Sequence, residues 1–227
     1  MIYQRFVLIV LFLIAAFVGF SQMENFPKGE IFQEKVTVQP ELSYQVYLPN
    51  SIKDEPTAAL IIFDPRGYSV NAINVFQEAA EHNQTVIFCA DQSRNGPYQR
   101  NLDIFKAMYG DIQRKFEVKE LPTFVAGFSG GSRLATAIAV LYPEVKGVIG
   151  CGAGFANLLA YIPTEGADFG YFGIVGRKDM NYTEMLTVEQ RLQEMEINHY
   201  FLYTEAGHTW PSSDILVQAL IWQLAQL

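Results

Sequence analysis

The 227-residue sequence is short of the side chains that bind metals or bridge chains: it has two cysteines and three histidines. None of them pairs at C-x-x-C or H-x-x-x-H spacing, so the sequence carries no metal-ligand pattern. It also lacks G-x-x-x-x-G-K and G-x-G-x-x-G, which excludes the phosphate loop and the dinucleotide fingerprint, and no cofactor is implied. Positive charge is scarce, with 16 Lys and Arg against 24 Asp and Glu and a formal net charge of −8. That balance argues against nucleic acid and anionic membrane surfaces as partners, because both call for basic patches. Internal repeats and low-complexity stretches are absent.

The longest apolar run is at the start. Arg5 precedes an unbroken apolar stretch over residues 6–20, and Gly19-Phe20-Ser21 follows before Gln22. Fifteen apolar residues are short for a bilayer span but suit the core of a removable export signal. Residues 1–21 are therefore expected to be a signal peptide, with 22–227 as one domain working in a periplasm or outside the cell. An uncleaved membrane anchor is the alternative. No cysteine follows the run, which argues against a lipoprotein anchor.

Chemistry is concentrated in Gly127-Phe128-Ser129-Gly130-Gly131. An apolar, β-branched run, Leu121 to Ala126, leads into it, and a stretch apolar at helical spacing, Ser132 to Val140, leads out. A strand running through G-x-S-x-G into a helix forces a sharp turn that leaves the Ser side chain projecting above the sheet. Ser129 is thus a candidate nucleophile. Such a serine needs a base and an acid, which follow it in the chain in the order Asp or Glu, then His. His82 lies upstream, at the polar end of a helix, and His199 opens a strand. His208 sits in Gly207-His208-Thr209-Trp210-Pro211, just beyond the last expected strand, where it can swing over the strand ends; it is the candidate base. For the acid, Asp179 stands in the turn after the strand around Ile174-Val175, between serine and histidine in sequence, although a helix N-cap would also explain it. Asp168 begins that strand, and Glu205 and Asp214 lie too near His208 in sequence to approach it from a neighbouring loop.

Strands are expected at 31–38, 42–48, 58–63, 85–90, 123–126, 145–150, 169–175 and 200–203. Helices are expected at 71–81, 100–116, 130–141, 182–195 and 213–226. The first two strands follow closely and should pair antiparallel at one edge. The others are separated by helices and apolar almost throughout, as parallel strands buried on both faces must be.

With that layout the chain resembles the α/β-hydrolase superfamily over nearly its whole length after the N-terminal segment. The resemblance implies an α/β fold with a mostly parallel eight-stranded sheet flanked by helices. Only residues 151–168 separate strands six and seven, so no large lid domain is expected. The Gly207–Pro211 segment is similar to that of polyhydroxybutyrate-depolymerase-like and feruloyl-esterase-like enzymes, and the compact layout to dienelactone hydrolases. In the superfamily's strand order two strands separate Cys89 from Cys151, so these are expected as buried thiols rather than a disulfide. The oxyanion of acyl transfer should be met by the Gly130 backbone N–H and by a second amide in Asp64-Pro65-Arg66-Gly67. Pro65 has no N–H, which leaves Arg66 or, less favourably, Gly67. Gly67, Tyr68, Phe155 and Trp210, in loops at the strand ends, are the expected substrate-binding residues, and Tyr98 with the loop 91–101 is expected to border the cleft.

The expected activity is a serine hydrolase cleaving small-molecule or polymer carboxylic esters through an acyl-enzyme. A peptidase or acyltransferase would use the same residues, and a non-catalytic binding protein on the same scaffold is the reading from another class.

Overall fold

The computed structural model describes residues 23–227; the segment expected to be an export signal lies outside the described residues. Eight strands form one sheet in the order β1-β2-β4-β3-β5-β6-β7-β8. They are β1 (Ile31–Val36), β2 (Gln39–Tyr47), β3 (Ala58–Phe63), β4 (Thr85–Ala90), β5 (Thr123–Phe128), β6 (Val145–Cys151), β7 (Gly170–Gly176) and β8 (His199–Thr204). Five α-helices connect them: α1 (Ser69–Asn83), α2 (Tyr98–Lys115), α3 (Gly130–Leu141), α4 (Tyr182–Glu194) and α5 (Ser213–Leu224). The pairs β1–β2 and β2–β4 are antiparallel, and all later pairs are parallel.

The central strands read Ala-Ala-Leu-Ile-Ile-Phe and Thr-Val-Ile-Phe-Cys-Ala, buried at every residue. Alternate side chains feed two cores, since successive residues of a strand point to opposite faces. On one face Leu60, Ile62, Phe124 and Ile149 pack with Ile73 and Phe76 of α1 and Leu216 and Leu220 of α5. On the other, Ile61, Phe88 and Val125 pack with Phe105 of α2, Leu134 of α3 and Val188 of α4. Each fully buried Phe or Leu of this kind contributes about 1.5–3 kcal/mol in apolar transfer.

The first hairpin departs from expectation. β1 stops at Val36 and β2 starts at Gln39, with Val36 paired to Gln39 across a two-residue turn. Pro40 argues against a strand in the sequence, yet the register slips just there, so its missing N–H disturbs no regular ladder. The turn is tied down by Asp111, a buried residue of α2 that accepts the Thr37 N–H at 2.9 Å and the Tyr44 hydroxyl at 2.8 Å.

Cys89 and Cys151 are buried free thiols with β3 and β5 between their strands. Burial pushes both thiol pKa values up, so each behaves as a small apolar side chain. Between β6 and β7 the chain forms only a short loop with one helical turn, Leu159–Tyr161, and no lid domain.

Candidate active site

Ser129 joins β5 to α3 with φ 54° and ψ −120°. A non-glycine residue held in such a conformation costs about 1–3 kcal/mol. Its neighbours explain why the chain can turn so tightly. A Cβ at Gly127 would collide with the Gly131 backbone, and a Cβ at Gly131 with the Phe63 carbonyl. Close backbone approach thus demands both glycines of G-x-S-x-G. The Ser129 carbonyl accepts the Ser132 and Arg133 N–H groups at 3.0 and 3.3 Å, which starts α3. Gly130 is the first residue of that helix, so its N–H has no acceptor within it and points outward with the positive end of the helix dipole.

The loop after β8 brings His208 to this serine: Nε2 lies 2.9 Å from Ser129 Oγ. On the other side of the ring Nδ1 lies 2.9 and 2.8 Å from the two carboxylate oxygens of Asp179. Asp179 stands three residues beyond β7, its N–H donated to the Gly176 carbonyl at 3.0 Å and its side chain 2% exposed. Its Oδ1 also accepts the Asn181 amide at 2.8 Å, and the Asn181 side chain donates to the Gly152 carbonyl at 2.8 Å. A carboxylate can only accept, so the proton of the neutral imidazole resides on Nδ1 and Nε2 is left to accept the Ser129 hydroxyl. Phe128 lies against the imidazole with ring centroids 4.6 Å apart.

The other candidates go elsewhere. Asp168 pairs with Lys146 at 3.0 Å and Glu205 with Arg177 at 3.3 Å. His199 Nδ1 bonds the Ile197 carbonyl at 2.7 Å, and His82 is exposed near the end of α1.

In the loop after β3 the amides expected to supply the second oxyanion donor already have acceptors. Asp64 is buried, and its Oδ1 accepts the Arg66 N–H at 2.8 Å and the Tyr68 N–H at 3.2 Å. Gly67 donates its N–H to the Asp64 carbonyl at 3.2 Å and has φ 76°, as a tight turn requires. The Arg66 amide is therefore already occupied by the carboxylate two residues before it. The sequence suggested a turn here but not that Asp64 would turn its own carboxylate onto the loop amides.

A cavity of about 210 Å³ adjoins Ser129, and its walls include Asp64, Asn95, Tyr98, Arg133 and Asn157. Tyr98 and its loop line this cavity, and the aromatic residues expected to bind substrate lie outside its lining. Tyr68 is 55% exposed, and Phe155 is buried edge-on against Tyr171 at 6.2 Å. Trp210 packs on Phe128 at 5.3 Å and Phe76 at 5.8 Å, and donates its indole N–H to Asp64 Oδ2 at 3.2 Å. Neither Gly67 nor any of these three rings lines the cavity beside Ser129.

Arg133, which sequence reasoning passed over, sits one helical turn beyond Ser129 on α3, and that i+4 spacing was the available signal. Its guanidinium pairs with Glu184 of α4, which also accepts the Gly154 N–H at 3.1 Å. Arg133 Nε is buried without a hydrogen-bond partner among the described residues. Burial raises the Tyr98 phenol pKa, so this ring presents a protonated hydroxyl. Among the described residues no cluster of His, Cys, Asp and Glu can hold a metal ion.

A serine on a strand-to-helix turn, a histidine after the last strand and an eight-stranded sheet of this order define the α/β-hydrolase fold. Solved structures agree. An esterase of the archaeon Pyrobaculum calidifontis superposes with a TM-score of 0.71 at 12% identity, over 90% of this chain and 88% of its own. An esterase/lipase from an uncultured bacterium gives 0.70 at 13% identity, over 90% and 89%. A fluorophosphonate-binding serine hydrolase of Staphylococcus aureus gives 0.66 at 12% identity, over 87% and 99%. No family model matches the sequence, and no curated protein matches it.

Proposed function

We propose that this chain is a serine hydrolase that cleaves carboxylic esters through an acyl-enzyme. The observation that carries the reading is the continuous chain of hydrogen bonds from Ser129 Oγ through His208 to Asp179. In the acylation step Ser129 Oγ attacks the ester carbonyl while His208 Nε2 takes its proton. Asp179 holds the ring in the required tautomer and stabilises the imidazolium. The Gly130 N–H meets the negative charge that develops on the carbonyl oxygen. Collapse of the tetrahedral intermediate expels the alcohol, protonated by His208, and leaves an acyl group on Ser129. His208 then deprotonates a water, whose attack releases the acid and restores the serine.

The esterases and serine hydrolases that share the fold support hydrolysis as the class of reaction. The cavity favours short, polar groups over long alkyl chains: it is smaller than common ligand pockets, and its walls carry Asn, Arg and Tyr side chains. The apolar segment at residues 6–20 supports export; a mature N-terminus at Gln22 is the expected result of N-terminal sequencing.

The test is labelling of the purified protein by a fluorophosphonate, with the adduct located by mass spectrometry. Ser129 should be labelled, and Ser129→Ala should lose both label and esterase turnover while keeping the wild-type circular dichroism. Turnover near the wild-type rate in Ser129→Ala would refute the assignment.

A further inference from the structure

An acyl-transfer site of this kind needs more than one donor for its oxyanion, and the loop after β3 offers none that is free. Pro65 has no N–H, the Arg66 and Tyr68 amides are held by the Asp64 carboxylate, and the Gly67 amide is held by the Asp64 carbonyl. Asp64 is itself fixed by the Trp210 indole, so this arrangement is locked from two sides. The vacant role falls next to another loop.

Asn95 lies in the loop between β4 and α2, and its backbone N–H is donated to the Pro65 carbonyl at 2.9 Å, which couples the two loops. Its side-chain amide sits directly over Gly130: a Cβ added at Gly130 would run into Asn95 Oδ1 and Cγ. That explains why the residue after the nucleophile is glycine here, although its φ does not demand one. Asn95 and Gly130 line the same cavity as Ser129. Among the described residues the Asn95 side chain makes no hydrogen bond, so nothing fixes which end of the amide faces the serine. Rotation by half a turn about the last side-chain bond presents Nδ2–H where the oxygen now lies.

We propose that Asn95 is a catalytic residue, its Nδ2–H the second oxyanion donor beside the Gly130 N–H. The inference rests on the acyl-enzyme reading above and adds a side-chain donor from the β4–α2 loop to it. As the carbonyl carbon becomes tetrahedral, its oxygen takes up negative charge between these two donors. No covalent bond to Asn95 forms and no proton leaves it. The exposed amide costs little to hold free in the resting protein, since water solvates it.

The experiment compares wild type, Asn95→Ala and Asn95→Asp on a p-nitrophenyl ester of a short acid, together with the rate of Ser129 labelling by a fluorophosphonate. Loss of one oxyanion donor should lower kcat by roughly 10²–10³-fold with KM nearly unchanged. Asn95→Asp, of the same size but unable to donate when ionised, should fall at least as far. Labelling rates should drop in parallel, because the phosphonyl oxygen occupies the same hole. Both variants should keep the wild-type melting temperature, as the side chain is exposed and unbonded. Wild-type kcat in Asn95→Ala would overturn this inference alone and return the role to the Arg66–Tyr68 loop. Absence of Ser129 labelling in the wild type would overturn the acyl-enzyme reading and this one with it.

Discussion

Asp64 and Asp179 occupy matching stations: each follows the end of a parallel strand on the same edge of the sheet, and they are 6% and 7% exposed. Their partners separate them. Asp64 is surrounded by donors that keep their protons, two loop amides and an indole. Asp179 faces an imidazole whose far nitrogen touches a hydroxyl. A buried carboxylate bonded to backbone organises a loop; the same group bonded to a titratable ring organises a reaction only in the mechanism proposed above. Burial alone would not have told them apart, since a buried carboxylate needs donors in either role.

Breaking the second member of the pair should have the larger effect. Asp179→Asn keeps the shape but offers His208 a donor instead of a second acceptor, which favours the wrong tautomer. kcat should fall by about 10⁴-fold with the melting temperature close to wild type, measured by ester hydrolysis and differential scanning calorimetry. An Asp179→Asn enzyme within tenfold of wild type would mean that the carboxylate only caps the loop. Asp64→Ala should do the reverse. It leaves the Arg66 and Tyr68 amides and the Trp210 indole without an acceptor, so about 1–3 kcal/mol of stability should be lost for each group that stays buried. Its activity loss should be far below that of Asp179→Asn. Trp210→Phe, which removes one of those three bonds, should cost about 1 kcal/mol and mark the small end of the series. A collapse of activity in Asp64→Ala at unchanged melting temperature would erase the contrast.

What the sequence made legible follows from how local its causes are. The strand–turn–helix around Ser129 is written in consecutive residues, and three histidines left few bases to choose from. Runs such as Ala58–Phe63 announce central strands because both faces are buried. The hairpin turn at residues 37–38 was less visible, because Pro40 speaks against a strand until the bulge is known. The surroundings of the loop aromatics were illegible for a different reason. Aromatic residues in loops at strand ends suggested a pocket, but whether a ring faces a cleft or a core depends on contacts distant in sequence, such as Trp210 with Phe76. The occupied Arg66 amide is likewise a matter of side-chain rotation, which no spacing records.

The backbone of Ser129 has a further consequence. Its φ of 54° and ψ of −120° belong to the conformations in which glycine is at home and every side chain is a burden. A residue that cannot be glycine without ending the proposed chemistry therefore stands where glycine would relax the chain. Selection for stability and selection for turnover pull in opposite directions at this single position. A chain freed from the proposed reaction would have a thermodynamic reason to surrender this serine.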